Sequence, residues 1–263
     1  MAEGISSTAT EPSPVPTTVP GCWGEPGILV NNSLPVQGVF SGRLDFSVYL
    51  PPCYAEQETD HYPVLYLFHG QGYTNDQWVR LGALRYADAL IASGEAMPFM
   101  IVLPDDPTFS QPSETTFDEA VVEAVIPYVD AHYRTHPERQ YRSLGGLSRG
   151  AGWAIHLGLT HPELFGVVGA HSPVILAEDG GMIPAWLEDL TPQEMPYFFL
   201  DTGDRDGDLM SAIWFADLLV EHGILSEWRM FLGYHDEAYW SAHVQDYLRW
   251  HVQAWQGKLP ALP

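Results

Sequence analysis

Two short runs, Val64-Leu-Tyr-Leu-Phe68 and Phe99-Met-Ile-Val-Leu103, are apolar without interruption, and each stops at a turn, His69-Gly70-Gln71-Gly72 and Pro104-Asp105-Asp106. A strand with one face in water alternates; a strand apolar at every position is buried on both faces, which calls for a parallel sheet with helices packed over each side. The intervening segments supply those helices. Residues 76–92 place Val79, Ala83, Tyr86 and Leu90 on one face, and residues 116–133 place Phe117, Val121, Val125 and Val129 on one face with Glu119 and Glu123 on another. Further strands are expected at 166–171, 197–201 and 227–232, and further helices at 151–159, 209–222 and 238–256. Residues 44–50 alternate, which reads as a half-exposed strand near a sheet edge. Strand and helix alternate without an internal repeat or a second linker, so the chain is expected to form one α/β domain over residues 22–263, its mostly parallel sheet covered on both faces.

The 34 acidic residues against 11 Lys and Arg give a formal net charge of −23 over 263 residues. Such a surface repels a nucleic-acid backbone or an anionic membrane, so neither is expected as a partner. Lys258 is the single lysine; an acidic, lysine-poor surface suits a salty or extracellular medium. No stretch approaches the roughly 20 apolar residues of a membrane span, and the N-terminus lacks the charged-then-apolar pattern of a signal peptide. Residues 1–21 carry seven Ser/Thr and four Pro, the composition of a flexible linker. It fits the stalk of a secreted or surface protein, with a frayed cytosolic tail as the alternative. Cys22 and Cys53 are the only cysteines. A disulfide between them would pin the N-terminal segment to the first strands and fit export; two free buried thiols fit as well. Neither cysteine has the companion spacing of a zinc site, and no metal or other cofactor is called for.

The sharpest chemical signal is Gly146-Leu147-Ser148-Arg149-Gly150, a G-x-S-x-G between an expected strand and helix. The turn is tight, a side chain at either glycine would strike a neighbouring element, and the serine hydroxyl is held out above a helix N-terminus that favours negative charge. A serine nucleophile needs a base, and the base needs a carboxylate, following in the order Ser, Asp or Glu, His. Of the histidines beyond Ser148, His156 and His161 fall in or at the end of the next helix, His222 and His243 lie within helical patterns, and His251 is close to the C-terminus. His235 stands in the loop Gly233-Tyr234-His235-Asp236 directly after a strand, the placement a base requires. The acids crowd into residues 201–208. An EF-hand starting at Asp204 would put Leu209 and Phe215 at its glycine and glutamate positions, so calcium binding fails. Position in the loop past the strand selects Asp206, with Asp204 as runner-up and Asp201 and Asp208 read as solvated or capping. The backbone N–H groups of Gln71 and Arg149 are the expected oxyanion donors, and His69 is read as holding its loop.

These stretches, with Val48-Tyr-Leu-Pro-Pro-Cys53 and Tyr62 to Gln71, resemble the α/β-hydrolase esterases that include feruloyl esterases, esterase D-like S-formylglutathione hydrolases, enterochelin esterases and mycolyltransferases. The resemblance runs from residue 44 to about 250, with 58 residues from Ser148 to Asp206 and 29 from there to His235. It implies the α/β-hydrolase fold, Ser148 as nucleophile, His235 as base, Asp206 as its acid, and Gln71 and Arg149 as oxyanion donors. Arg149 departs from the smaller apolar residue common there, with the pocket rim expected to change.

The expected reaction is hydrolysis of carboxylic esters through an acyl-enzyme, on feruloyl or acetyl esters of plant polysaccharide, with activity falling below about pH 6 because the base must be neutral. Acyl transfer, thioester hydrolysis and a non-catalytic binding role are the alternatives. Tyr73, Trp78, Trp186, Tyr239 and Trp240 are candidate substrate contacts, although aromatics chiefly fill cores. Residues 172–196 are long enough to form a lid or pocket wall.

Overall fold

The computed structural model describes residues 21–39 and 41–259; the expected linker lies outside them except for Gly21. Eight strands form one sheet in the order β1-β2-β4-β3-β5-β6-β7-β8: β1 (Ile28–Pro35), β2 (Arg43–Leu50), β3 (Val64–Phe68), β4 (Met100–Pro104), β5 (Arg142–Leu147), β6 (Val167–His171), β7 (Tyr197–Gly203) and β8 (Ser226–Phe231). The pairs β1–β2 and β2–β4 are antiparallel and the other five are parallel. The uninterrupted apolar runs lie in β3 and β4, and every residue of both strands is buried.

Helices cover both faces, each over its own apolar cluster. On one side α3 (Phe117–Ala120), α4 (Ile126–His132), α5 (Arg149–Thr160), α6 (Ile183–Asp189) and α7 (Leu209–Glu221) enclose Tyr66, Val102, Leu144, Val168 and Phe198. On the other, α1 (Gln77–Arg80), α2 (Ala83–Ala92) and α8 (Glu237–Trp255) enclose Leu65, Ile101, Leu147 and Phe199. Alternate residues of one strand thus belong to opposite clusters, as the period of two dictates.

Several expectations need correction. The strand over residues 44–50 lies near the sheet edge as expected, one in from β1, but it is not half exposed: the last five residues of β2 are buried, among them Ser47, whose hydroxyl is donated to Asn31 Oδ1 at 2.8 Å. The helix over 76–92 is two helices, broken where Gly82 adopts φ 95°. That over 116–133 carries a π turn, Val121–Val125, just before Pro127, which has no N–H to continue an α-helical ladder. The 172–196 segment contains α6, whose Ile183 and Leu187 are buried against the first cluster. It is tethered from beneath by His156, which pairs with Asp179 at 3.0 Å and with Asp118 at 3.4 Å. Burial works against the imidazolium there, but the two carboxylates outweigh it and push its pKa up to about 9.

Cys22 and Cys53 are bonded to each other, with Cα atoms 5.1 Å apart. The bridge ties the turn ahead of β1 to the one after β2. With its ends 31 positions apart in sequence, reducing it is expected to lower the unfolding free energy by about 3–4 kcal/mol through the freed entropy of the unfolded chain. Urea titrations with and without reductant measure this; identical midpoints would show that the bridge does not constrain the unfolded state.

Candidate active site

Ser148 lies between β5, in the middle of the sheet, and α5. Its backbone takes φ 55° and ψ −125°, a strained conformation for a residue with a side chain. The two flanking glycines make it possible. A Cβ on Gly146 would stand 2.1 Å from the Gly150 carbonyl oxygen, and one on Gly150 would stand 2.3 Å from the Phe68 carbonyl oxygen. The Ser148 N–H donates to the His171 carbonyl at 2.9 Å, which fixes the turn to β6.

Three residues far apart in sequence meet here. The Ser148 hydroxyl lies 2.8 Å from His235 Nε2, and His235 Nδ1 lies 2.8 Å from Asp206 Oδ1. A carboxylate only accepts, so Nδ1 carries the proton and the neutral ring leaves Nε2 free to accept from the serine. Asp206 Oδ1 takes a further bond from the Asp208 N–H at 2.7 Å. Burial favours the protonated carboxyl, yet the bonds from His235 and the Asp208 N–H hold Asp206 below the usual carboxylate range. Burial likewise opposes the imidazolium of His235, but the hydrogen bond to Asp206 and the charges of Asp206, Asp208 and Asp236 raise it above its ordinary value. Asp206, Asp208 and His235 are also the one group of three among the described residues whose ligand atoms lie within 4.8 Å of one another. With Nδ1 holding a proton against Asp206, that nitrogen has no lone pair for a cation.

The serine opens into a cavity of about 410 Å³ lined by Gly70, Gln71, Tyr73, Ser148, His235, Asp236, Glu237, Ala238 and Trp240. Gln71 and Ser148 share it, and the Arg149 N–H, in the first turn of α5, has no intrahelical acceptor. The Arg149 side chain turns away from the rim, contrary to expectation: it is buried, paired with Asp106 at 3.2 Å and bonded to the Ser110 carbonyl. His69 accepts the Asp106 N–H on Nε2 at 2.9 Å and donates from Nδ1 to the Gly70 carbonyl, which holds the loop as expected.

Of the candidate aromatic contacts, Tyr73 and Trp240 line the cavity, and Trp240 stands edge-on to His235 with centroids 5.0 Å apart. The other three do not. Trp78 is buried under the sheet and donates to the Phe68 carbonyl, Trp186 packs edge-on to His156, and Tyr239 is buried with its hydroxyl on Asp201. Nor does any residue of 172–196 line this cavity. Asp201 is neither solvated nor capping: fully buried, it accepts from His171 Nδ1 at 2.6 Å and from the hydroxyls of Tyr239 and Tyr247 at 2.6 and 2.9 Å. Asp204 accepts the Gly233 N–H at 3.0 Å and secures the loop that carries His235.

One residue the sequence does not advertise is Gln77. Fully buried, it accepts the Gly70 N–H on Oε1 at 2.8 Å and donates from Nε2 to Glu237 at 3.3 Å, while Arg80 grips the same carboxylate at 2.9 Å. The loop of Gln71 and the start of α8 are thereby joined across the cavity.

The esterase family model, described as "Putative esterase", matches residues 38–251. Among curated proteins, an endo-1,4-beta-xylanase/feruloyl esterase of Xylanibacter ruminicola is 31% identical over 206 residues, which cover 70% of this chain and 27% of that protein. The chain thus spans about a quarter of the length of that relative. Among solved structures, a ferulic acid esterase superposes with a TM-score of 0.78 at 26% identity, covering 87% of this chain and 99% of the other. An S-formylglutathione hydrolase of Staphylococcus aureus superposes at 0.69 with 17% identity, covering 87% and 98%, which is a likeness of fold. No helix among the described residues is long and apolar enough to cross a membrane. A match across four-fifths of the sequence, on a sheet that presents its serine in this way, means that the chain belongs to the esterase family and has the α/β-hydrolase fold.

Proposed function

We propose that the chain is an exported serine carboxylesterase that cleaves feruloyl or short acyl esters of plant polysaccharide through an acyl-enzyme. The observation that carries this reading is the hydrogen-bonded row Ser148 Oγ, His235 Nε2, His235 Nδ1, Asp206 Oδ1, at 2.8 Å for both its links, opening on one cavity. In the reaction His235 takes the Ser148 proton as the oxygen attacks the ester carbonyl, and the N–H groups of Gln71 and Arg149 receive the negative oxygen. The imidazolium returns the proton to the departing alcohol. A water activated by His235 then releases the acid from Ser148.

The substrate class follows from the relatives that act on ferulate esters and from the cavity wall. Trp240 and Tyr73 suit a planar acyl group, whereas Asp236 and Glu237 at the same wall, on a chain of net charge −23, repel an anionic thiol ester such as a glutathione conjugate. Export is supported by the Cys22–Cys53 bridge, which persists in an oxidising compartment. A binding role without turnover would need a broken triad, and the three groups here stand in contact.

Replacing Ser148 with Ala is expected to remove turnover of methyl ferulate and p-nitrophenyl acetate by about 10⁴-fold or more, with an unchanged circular dichroism spectrum. Turnover retained above a few per cent would refute the nucleophile. In a substrate panel, methyl ferulate and acetylated xylan should be cleaved and S-formylglutathione should not; preference for the thioester would overturn the substrate assignment.

The raised His235 also places the acid limb. The base works unprotonated, so kcat/KM falls as pH drops through the His235 pKa, which lies above the ordinary value of about 6.5. The half-loss point is therefore expected above pH 6.5, higher than composition and loop placement alone imply. A rate constant across pH 5–8 would exclude His235 as the base.

A further inference from the structure

The proposed reaction asks the Gln71 N–H to receive a negative oxygen, and what aims that N–H lies outside Gln71 itself. In a trans peptide the carbonyl of one residue and the N–H of the next share a plane and point opposite ways. Whatever holds the Gly70 carbonyl therefore also sets the direction of the Gln71 N–H. That carbonyl accepts from His69 Nδ1 at 2.9 Å and from the Tyr73 N–H at 3.2 Å, while the Gln71 N–H meets no acceptor among the described residues.

The other side of Gly70 is held by Gln77. The Gly70 N–H donates to Gln77 Oε1 at 2.8 Å. Gly70 also lies against the Ser148 turn, since a Cβ on it would stand 2.9 Å from Leu147 Cδ1 and 3.4 Å from Ser148 Cβ. Both peptide planes that meet at Gly70 are thus tied down, at the residue type whose backbone is otherwise freest. The far end of the Gln77 amide donates from Nε2 to Glu237 Oε1 at 3.3 Å. Arg80 Nη1 reaches both oxygens of that carboxylate, at 2.9 and 3.1 Å, and its guanidinium carbon stands 5.4 Å from the centre of the Tyr73 ring. Gln77 is fully buried, and its place needs an acceptor at one end and a donor at the other, which an amide supplies. A leucine there would leave the buried Gly70 N–H without an acceptor, and a glutamate would set carboxylate against carboxylate.

We propose that Gln77 is a positioning residue of the oxyanion hole. Through Gly70 it holds the Gly70–Gln71 peptide with its N–H turned toward the place where the ester oxygen becomes negative. Through Glu237 it keys that peptide to the start of α8, two residues beyond His235. The inference rests on the reading of Ser148 as nucleophile and Gln71 as donor. The donor is needed most once the oxygen carries charge, so loss of its aim lowers kcat and leaves substrate binding nearly alone.

The test pairs p-nitrophenyl acetate with its thiono counterpart, in which sulfur replaces the carbonyl oxygen. Sulfur is the weaker hydrogen-bond acceptor and draws less on the donor. Gln77→Leu is expected to lower kcat on the oxygen ester by about 10–100-fold, less than the roughly 10²–10³ for removing a donor outright, with KM changed by less than about twofold. Turnover of the thiono ester should fall less, so that the ratio of the two kcat/KM values drops about tenfold. Gln77→Glu keeps an acceptor for Gly70 but faces Glu237, and should lower the ratio too. Adding Glu237→Gln exchanges the two groups, and the exchanged pair should recover most of what Gln77→Glu loses.

Equal falls on both esters in Gln77→Leu would overturn the proposal, because a merely structural loss does not tell oxygen from sulfur. A kcat within about twofold of the parent would overturn it as well. Should Gln77→Leu fail to fold, as judged by circular dichroism, the glutamate variants decide: an unmoved ratio in Gln77→Glu, or no recovery in the exchanged pair, would then overturn it. Activity surviving Ser148→Ala would instead sink the reading on which the inference rests. That result is distinct, since an unmoved ratio in an enzyme that still depends on Ser148 removes only the role of Gln77.

Discussion

Everything at the rim of the Ser148 cavity hangs on the backbone of that residue. A conformation at φ 55° and ψ −125° costs on the order of 1–3 kcal/mol and persists only where its surroundings over-determine it. Here they do so from three directions: the Gly150 carbonyl presses where a side chain on Gly146 would be, the Phe68 carbonyl does the same at Gly150, and the His171 carbonyl takes the Ser148 N–H. The first contact is within the turn, the second comes from β3 and the third from β6. The strain is thus held by the two strands that flank β5.

The same economy appears in the use of positive charge. With 11 Lys and Arg against 34 acids, cations are scarce, and several are spent inside. Arg149 binds Asp106, Arg142 binds Asp130 at 2.8 Å, and His156 is clasped by Asp118 and Asp179. Each of these cations stands on β5, the Ser148 turn or α5, and each holds a carboxylate from a neighbouring loop or helix. Removing one partner would leave a buried charge uncompensated, which is far costlier than the pair is favourable. The surplus acids remain near the site, where Asp208 and Asp236 raise His235, and Glu237 is answered by Arg80 and Gln77.

How much of this was legible in the sequence divides along physical lines. Strands buried on both faces announce themselves as apolar runs, and β3 and β4 were found that way with small shifts at their ends. β1 was not, because its Ile28–Pro35 is polar at its centre and lies half exposed at the sheet's edge. Ser148, His235 and Asp206 could be picked out because a strained turn and two loops after strands are local features. Contacts that close over long separations leave no local mark. Gln77 reaches Glu237 across 160 residues and Trp240 reaches Ser172 across 68, and nothing in either stretch announces the partner. Trp78 and Trp186 do not line the cavity for the same reason, since an indole near the rim in sequence can just as well point into the core.

Asp201 and Asp206, five residues apart, illustrate why composition cannot separate them. Asp201 is fully buried, with donors on both oxygens: His171 on one, Tyr239 and Tyr247 on the other. A carboxylate so filled is an anchor, and what it anchors is α8, from which both phenols come. That helix begins two residues after His235, so the saturated carboxylate sets where the imidazole stands. Asp206 lies one turn further along, where the chain has left the sheet, and its Oδ1 is offered to the imidazole itself. One acid holds the frame and the other meets the imidazole, and the difference is made by which donors the fold brings to each.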